Sequence, residues 1–356
     1  MTDRTGRVDA ALRDRGVDAL LVASPANLRW LTGYSGSHGA ALAGPGVRRF
    51  ATDFRYMAQA REEVGEEWGD AEIASDLLGR LAEGGLPARL GFEDDHLTVR
   101  ERARLAELAG EGVELVPAGG LVEALRIVKD ARELELIRTA ARVADEAFRE
   151  VVVEGGLAGR TERDVALDLE TAMRRRGADR VAFPVIVAAG PHGALPHATP
   201  RDVPIPEGTL VVVDWGAVVE GYASDCTRTV ATGAIDPRDR AVYNLVLRAQ
   251  LQALAAVRPG PLGREVDAVA RAVIDAAGHG EQFGHGLGHG VGLDVHEEPT
   301  LSKRGGTPLG AGNVVTVEPG VYVPGRVGVR IEDLVVVTEE GCEVVSSLPK
   351  ELETVA

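Results

Sequence analysis

Five side chains able to ligate a cation follow one another in the second half of the chain: Asp214, Asp225, His289, Glu318 and Glu332. Each sits at or beside a short apolar or glycine-rich run of the kind that can aim a side chain at one point. Four carboxylates and an imidazole brought together are too acidic to bury alone, because taking even one unpaired carboxylate out of water is costly. Two divalent cations would balance four carboxylates to zero. Oxygen donors with a single imidazole suit hard or borderline ions better than a thiolate-type zinc site does; Mn²⁺ leads, with Co²⁺, Fe²⁺ and Zn²⁺ as further candidates. Two such ions lower the pKa of a shared water and polarise a carbonyl, which is the chemistry of amide hydrolysis. Other nucleophiles find no support. There is no GxSxG turn, and neither Cys226 nor Cys342 lies in a Cys/His motif.

The elements that must position these residues are legible in part. The run Leu210–Val213 makes Asp214 the end of a buried strand. Pairing of Leu210–Trp215 with Tyr222–Val230 as a hairpin would set Asp214 and Asp225 face to face. A pair of aspartates beside a turn is more often solvated, and the valines argue against that here. Residues 283–299 read FGHGLGHGVGLDVHEEP, with glycines at 284, 286, 288, 290 and 292 among His285, His289 and His296. Glycines let backbone approach a site closely, and neither a GxGxxG fingerprint nor a Walker A lysine is present. Glu318 ends the run Val314–Val317. Arg330 and Glu332, two apart in VGVRIEDLVVV, would share one face of a strand. A surface salt bridge is the alternative for that pair, disfavoured by the apolar run Leu334–Val337. The segments 208–216 and 312–320 share a layout, apolar run, carboxylate, then glycine two residues on. Either a duplicated half-domain or the common look of strands ending in turns accounts for it.

At 356 residues the chain is long for one core and reads as two domains. Residues 1–125 alternate helices with short apolar runs, with Trp30, Tyr34 and Phe54 as expected core residues. A boundary near Arg126 precedes a capping box at Asp130 and Glu133, which opens a helix with Leu134, Ile137, Ala141, Ala144 and Phe148 on one face. Further helices are expected over Thr161–Arg176, from Asp236 to Pro259, and over Arg264–Ala277. A net charge of −16 argues against nucleic acid as partner. Two distant cysteines, a charged N-terminal stretch and the lack of a membrane-length apolar run lead to the expectation of a cytoplasmic protein with no membrane partner.

The ordered set Asp, Asp, His, Glu, Glu, in VVVDWGAVVEGYASDCTRTV, FGHGLGHGVGLDVHEEP, VVTVEPGVYV and GVRIEDLVVV, resembles the pita-bread metallopeptidases. That family holds methionine aminopeptidase, aminopeptidase P, prolidase and creatinase. NLRWLTGYSGSHGA and ATDFRY resemble the N-terminal domain of the prolidase and aminopeptidase P branch. The resemblance implies an α/β (α+β) fold: a small α/β domain over 1–125, then a catalytic domain over 126–356 with a curved, mainly antiparallel sheet flanked by helices. It implies two divalent ions, with Asp214 on one, His289 and Glu318 on the other, and Asp225 and Glu332 bridging. A bridging hydroxide would attack, and Glu318 would carry its proton towards the leaving amine. By the same resemblance His296 steadies the substrate carbonyl and His197 lies near the leaving group. His285 lines the site, and Arg330 braces Glu332 or meets a substrate carboxylate, a role open also to Arg304. His192 is given only a loop role.

The implied activity is cleavage of an Xaa-Pro bond by a homodimer. An Xaa-Pro dipeptidase is favoured because the chain is compact and lacks large insertions. Aminopeptidase P, acting on longer peptides with proline second, is the alternative. A hydrolase or lyase of a small non-peptide substrate and a non-catalytic peptide-binding module are the further readings; residues 182–200 and 299–311 would discriminate the former.

Overall fold

Runs of valine, leucine and alanine bounded by glycine or proline become the strands of the protein, whose computed structural model describes residues 3–355. The chain divides into two compact units, Met1–Arg126 and Ile127–Ala356.

The first unit is built on a six-stranded sheet. Its strand order is Glu72–Ile73, Val47–Thr52, Gly39–Gly44, Ala19–Val22, Arg89–Phe92 and Glu114–Pro117. Ala19–Val22 runs antiparallel to Gly39–Gly44 and parallel to Arg89–Phe92. Leu21, Leu42, Leu90, Phe92, Leu81 and Leu105 form its core. Trp30 and Tyr34 are buried as expected, at 1% exposure each, but Phe54 is 77% exposed. Asp53 caps the 3₁₀ turn Phe54–Tyr56 that follows the strand, and no side chain of that turn is buried.

In the second unit every strand pair is antiparallel. Asp130 and Glu133 close the expected capping box, and the helix runs Ala131–Phe148. Glu133 also accepts the hydroxyl of buried Tyr222 at 2.8 Å. Trp215 closes the strand Leu210–Trp215 against this helix. Its indole N–H donates to the Ala144 carbonyl at 2.9 Å, and its ring stacks on Phe148 at 4.3 Å. An aromatic stack with a satisfied N–H is a strong anchor. The strand carrying Asp214 is thereby held rigidly.

The two halves of this unit follow one path. Helices Ala131–Phe148 and Glu162–Arg175 precede strand Ile186–Ala189, which pairs with Leu210–Trp215, which pairs with Cys226–Ala231. Helices Pro237–Ala256 and Gly263–Ala276 precede strand Gly288–Gly290, which pairs with Val314–Val317, which pairs with Asp333–Val337. In each half a small hairpin interrupts the last strand pair: Ala217–Val219 with Tyr222–Ala223, and Gly320–Val323 with Val327–Arg330. The match extends over two helices, three strands and the interrupting hairpin of each half, which favours duplication over the accident of similar strand ends.

Two local expectations are corrected by this topology. Asp214 lies opposite Thr227, not Asp225, because the partner strand begins only at Cys226 and residues 217–223 form the separate hairpin. Arg330 ends one strand while Glu332 sits in the two-residue link before Asp333–Val337, so the two do not share a strand face.

Buried polar bonds tie the halves together. Arg228, with a side chain only 3% exposed, donates to Asp333 Oδ1 at 2.8 Å and to the carbonyls of Thr227, Leu348 and Pro349 at 3.0, 2.8 and 2.8 Å. It also reaches the carbonyl of Glu332. Gln250 and Lys350 complete Asp333 at 2.7 and 2.9 Å. Removing one partner of a buried pair strands the other in low dielectric. Arg228→Met should therefore destabilise the protein by about 3–5 kcal/mol, read as a lower urea midpoint. An unchanged midpoint would mean that Lys350 and Gln250 compensate Asp333 without Arg228.

Candidate metal centre

The site is assembled from strand ends, with threonines as its internal fasteners. Asp225 lies in the two-residue link just before the strand Cys226–Ala231, two residues ahead of Thr227, which pairs with Asp214. Thr227, fully buried, donates its hydroxyl to Glu332 Oε2 at 2.7 Å, and its carbonyl accepts the Glu332 N–H at 3.1 Å. Thr316 does the same work in the other half. Its hydroxyl accepts the His289 N–H at 3.1 Å and donates to Glu318 Oε1 at 3.0 Å. Glu318 is fixed further by its N–H on the Leu287 carbonyl at 2.8 Å. Glycines around His289 are required by close backbone: a Cβ on Gly288 would lie 2.1 Å from the Thr316 carbonyl oxygen, and one on Gly290 2.3 Å from that of Glu298. The ring of His289 has one nitrogen committed, since only Nδ1–H can donate to the Gly290 carbonyl at 3.0 Å. Nε2 is left facing Glu318 Oε1 at 3.2 Å and Asp225 Oδ2 at 3.7 Å.

Asp225, His289 and Glu332 each offer a ligand atom, and these atoms lie within 4.8 Å of one another. Glu318 joins them through His289, and Asp214 lines the same cavity. All five sequence-selected residues are thus brought to one place, three of them in the tightest group.

The charges there are poorly compensated by protein alone. Burial, with Glu332, Asp214 and Glu318 nearby, pushes the Asp225 carboxyl well above its usual range. Burial and the charges of Glu318 and Asp214 do the same to Glu332. Asp214 is raised by burial and Glu318, against the pull of Arg330. Glu318 goes the other way: burial is outweighed by the hydrogen bond and charge of His289, with help from His285 and Arg330, and its pKa falls to about 2. Burial opposes protonation of His289, yet Glu318 wins and its pKa is raised. Asp214 Oδ1 is buried with no hydrogen-bond partner. A buried orphan oxygen beside carboxylates forced towards neutrality is the environment a hard cation would relieve. The residues fit divalent metal.

Arg330 is the cation the protein itself supplies, and its placement corrects the expected one. Nη2 lies 2.5 Å from Asp214 Oδ2, Nε donates to Thr227 Oγ1 at 3.0 Å, and Nη1 donates to the Tyr322 hydroxyl at 2.7 Å and the Pro196 carbonyl at 3.2 Å. It braces Asp214, with no ion pair to Glu332, and its side chain is 5% exposed. Four of its five N–H groups are thus engaged by the protein, and its side chain lines the cavity. Arg304 is exposed and does not line the cavity.

The cavity over the carboxylates has a volume of about 480 Å³. Phe183, Pro184, Ile186, Pro196, Ala198 and Pro200 make an apolar wall facing the acidic floor. His197 and His296 are exposed at its edge, and the His296 ring lies 4.3 Å from that of His289. Burial and the neighbouring His289 lower the His296 pKa, which favours the neutral ring. His285 lines the wall with both nitrogens occupied. Nδ1–H donates to the Gly286 carbonyl at 2.7 Å, and Nε2 accepts the Tyr322 hydroxyl at 2.9 Å. Burial lowers its pKa too. His192 does not line the cavity; its ring meets Glu162 at 2.9 Å.

Thr227, Thr316 and Tyr322 escaped the sequence reading. A polar residue at alternate positions of an otherwise valine-rich strand was the available signal for the threonines, since buried hydroxyls need partners.

Residues 135–339 match metallopeptidase family M24, and residues 4–128 match the creatinase/prolidase N-terminal domain. An uncharacterised peptidase of Bacillus subtilis, YqhT, is 41% identical over 95% of this chain and 96% of its own. The solved structure of an Xaa-Pro dipeptidase from Bacillus anthracis superposes with a TM-score of 0.94 at 38% identity, over 99% of both chains. That of an X-Pro aminopeptidase from Thermotoga maritima gives 0.89 at 36% identity, over 98% of this chain and 100% of that one. The chain belongs to metallopeptidase family M24. Its site is accordingly one for divalent metal, and the group Asp225, His289 and Glu332 is suited to hold an ion.

Asp225→Asn removes a charge from that group while keeping its shape. Bound Mn²⁺, measured by elemental analysis after gel filtration, should fall by about tenfold or more. Wild-type metal content in the variant would remove Asp225 from the ligand set.

Proposed function

We propose that the protein is a dinuclear-metal Xaa-Pro dipeptidase of the cytoplasm, acting as a homodimer with Mn²⁺ as its first metal. The observation that carries this reading is the cavity itself: the acidic residues at its floor face a wall of proline, phenylalanine and aliphatic side chains. A proline ring is apolar, and the Xaa-Pro imide has no N–H, so a site for it needs hydrocarbon contact in place of a hydrogen-bond acceptor. Likeness to the Bacillus anthracis dipeptidase over 99% of the chain supports the choice of substrate class. The oxygen-rich donor set supports Mn²⁺, with Co²⁺, Fe²⁺ or Zn²⁺ as alternatives. Free cysteines Cys226 and Cys342 support a reducing compartment. Among the described residues no helix is long and apolar enough to cross a membrane.

In this reading Asp214, Asp225, His289, Glu318 and Glu332 would hold the two ions. Bound there, the metals would acidify the attacking water and polarise the scissile carbonyl. The protein's own groups do the rest. Glu318, kept ionised beside His289, takes the proton released as water adds to the carbonyl carbon. It then delivers that proton to the proline nitrogen as the C–N bond breaks. His296, beside His289 and favoured neutral, donates an N–H to the developing oxyanion. His197 stands by the leaving group, and His285, tied to Tyr322, lines the pocket. Arg330 holds Asp214 in place.

Aminopeptidase P is the second reading, favoured by the 36% identity to the Thermotoga maritima enzyme. Hydrolysis of Ala-Pro and Ala-Pro-Ala, each with Mn²⁺ and with EDTA, separates the two. Metal-dependent cleavage of the dipeptide alone is expected. Release of alanine from the tripeptide would assign the aminopeptidase, and no cleavage of either by metal-loaded protein would reject both.

His296→Ala should lower kcat by about 100-fold, in the range expected for loss of an oxyanion donor, with metal content unchanged. Loss of metal in this variant would place His296 among the ligands instead.

A further inference from the structure

Glu162 is a buried carboxylate far along the chain from the metal-site residues, yet its bonds converge on the segment that carries His197. It occupies the first turn of helix Glu162–Arg175, behind the Thr161 cap, with a side chain 1% exposed. Oε1 accepts the Ala189 N–H at 3.0 Å and Arg201 Nη2 at 3.0 Å. Oε2 accepts the Arg201 N–H and Nε, both at 3.0 Å, and the His192 ring at 2.9 Å. One carboxylate thus grips both ends of the segment 189–201 and a side chain from its middle.

The rest of the segment is held elsewhere. A Cβ on Gly328 would lie 1.7 Å from the Gly193 carbonyl oxygen, so the segment packs directly on the strand Val327–Arg330. The Pro196 carbonyl accepts Arg330 Nη1 at 3.2 Å. His197, the next residue, lines the cavity between Pro196 and Arg201, and its side chain makes no hydrogen bond among the described residues. Its place is therefore set by backbone that Glu162 holds at Ala189 and Arg201 and Arg330 holds at Pro196.

We infer that Glu162, with His192 and Arg201, is a positioning device for His197, setting the loop wall of the pocket against the metal-site floor. The inference rests on the proposed role of His197 at the leaving group. Charge matters here: five N–H donors point at the carboxylate, and an amide in its place would turn its own NH₂ group against some of them.

Glu162→Gln should lower kcat by about tenfold or more with KM nearly unchanged, as expected when a catalytic group is displaced by part of an ångström. Metal content should stay at the wild-type level. In a His197→Ala background the same substitution should cost about twofold or less, since residues acting through one another are not additive. Amides of 190–200 should exchange with deuterium about tenfold faster in E162Q, while 286–290 and 314–318 keep their protection. Arg201→Gln, at an exposed side chain, gives the same pattern in weaker form should E162Q fail to fold. An equal loss of activity with and without His197, or unchanged exchange over 190–200, would overturn the inference. If the wild type cleaves neither peptide, the functional reading falls, and the exchange experiment still decides whether Glu162 orders this segment.

Discussion

Like charge in a confined, desolvated space is the constraint on which the rest of the second unit turns. Asp214, Asp225 and Glu332 are all buried, and Glu318 lies in contact with His289 beside them. Arg330 answers Asp214 from within the protein, and His289 lies between Glu318 and Asp225. The unbalanced remainder appears physically as two carboxyls driven towards neutrality and an Asp214 oxygen with no partner. Divalent metal resolves all of this at once, which is why the same arrangement that is costly as bare protein is well suited as a metallopeptidase centre.

Holding such groups against their repulsion requires stiff supports. The protein supplies them twice, by the same strand–hairpin–strand path, so that Asp214 and Asp225 come from one half and Glu318 and Glu332 from the other. In each half a buried threonine fastens a carboxylate from inside the sheet: Thr227 holds Glu332, and Thr316 holds Glu318. Thr227 reaches across to the other half's glutamate, and Arg228 reinforces this with its bonds to Asp333 and the Glu332 carbonyl. The halves are locked together at the place where their charges meet. Sites on packed strands hold their geometry better than sites on loops.

The opposite wall of the cavity is made differently. Residues 190–200 have little regular structure, and their position depends on a few bonds to Glu162 and Arg330. A chain of hydrogen bonds runs from Arg330 through the Tyr322 hydroxyl to His285, so one guanidinium fixes Asp214, the loop carbonyl of Pro196 and the orientation of an imidazole together. The pocket thus has an acidic side built on strand ends and an apolar side built on a tethered loop.

The residue types and their order pointed to a metal centre, because burying that much acid has few physical solutions, and the fold groups Asp225, His289 and Glu332 as a possible one. Periodicity and caps likewise located the helix Ala131–Phe148, and the likeness of residues 208–216 to 312–320 anticipated the doubled path. Register and partner choice were not legible. Asp214 faces Thr227 because a hairpin intervenes before Asp225, and Arg330 meets Asp214 because its strand ends where Glu332's link begins. Phe54 looked like core, yet lies in a capped turn that leaves it exposed. Glu162 gave no signal at all, since its donors are backbone N–H groups and side chains 27 to 39 residues away, set only when the chain closes on itself. Composition and pattern along the chain specify which groups must be compensated; which atoms compensate them depends on contacts between distant segments, and those exist only in the folded protein.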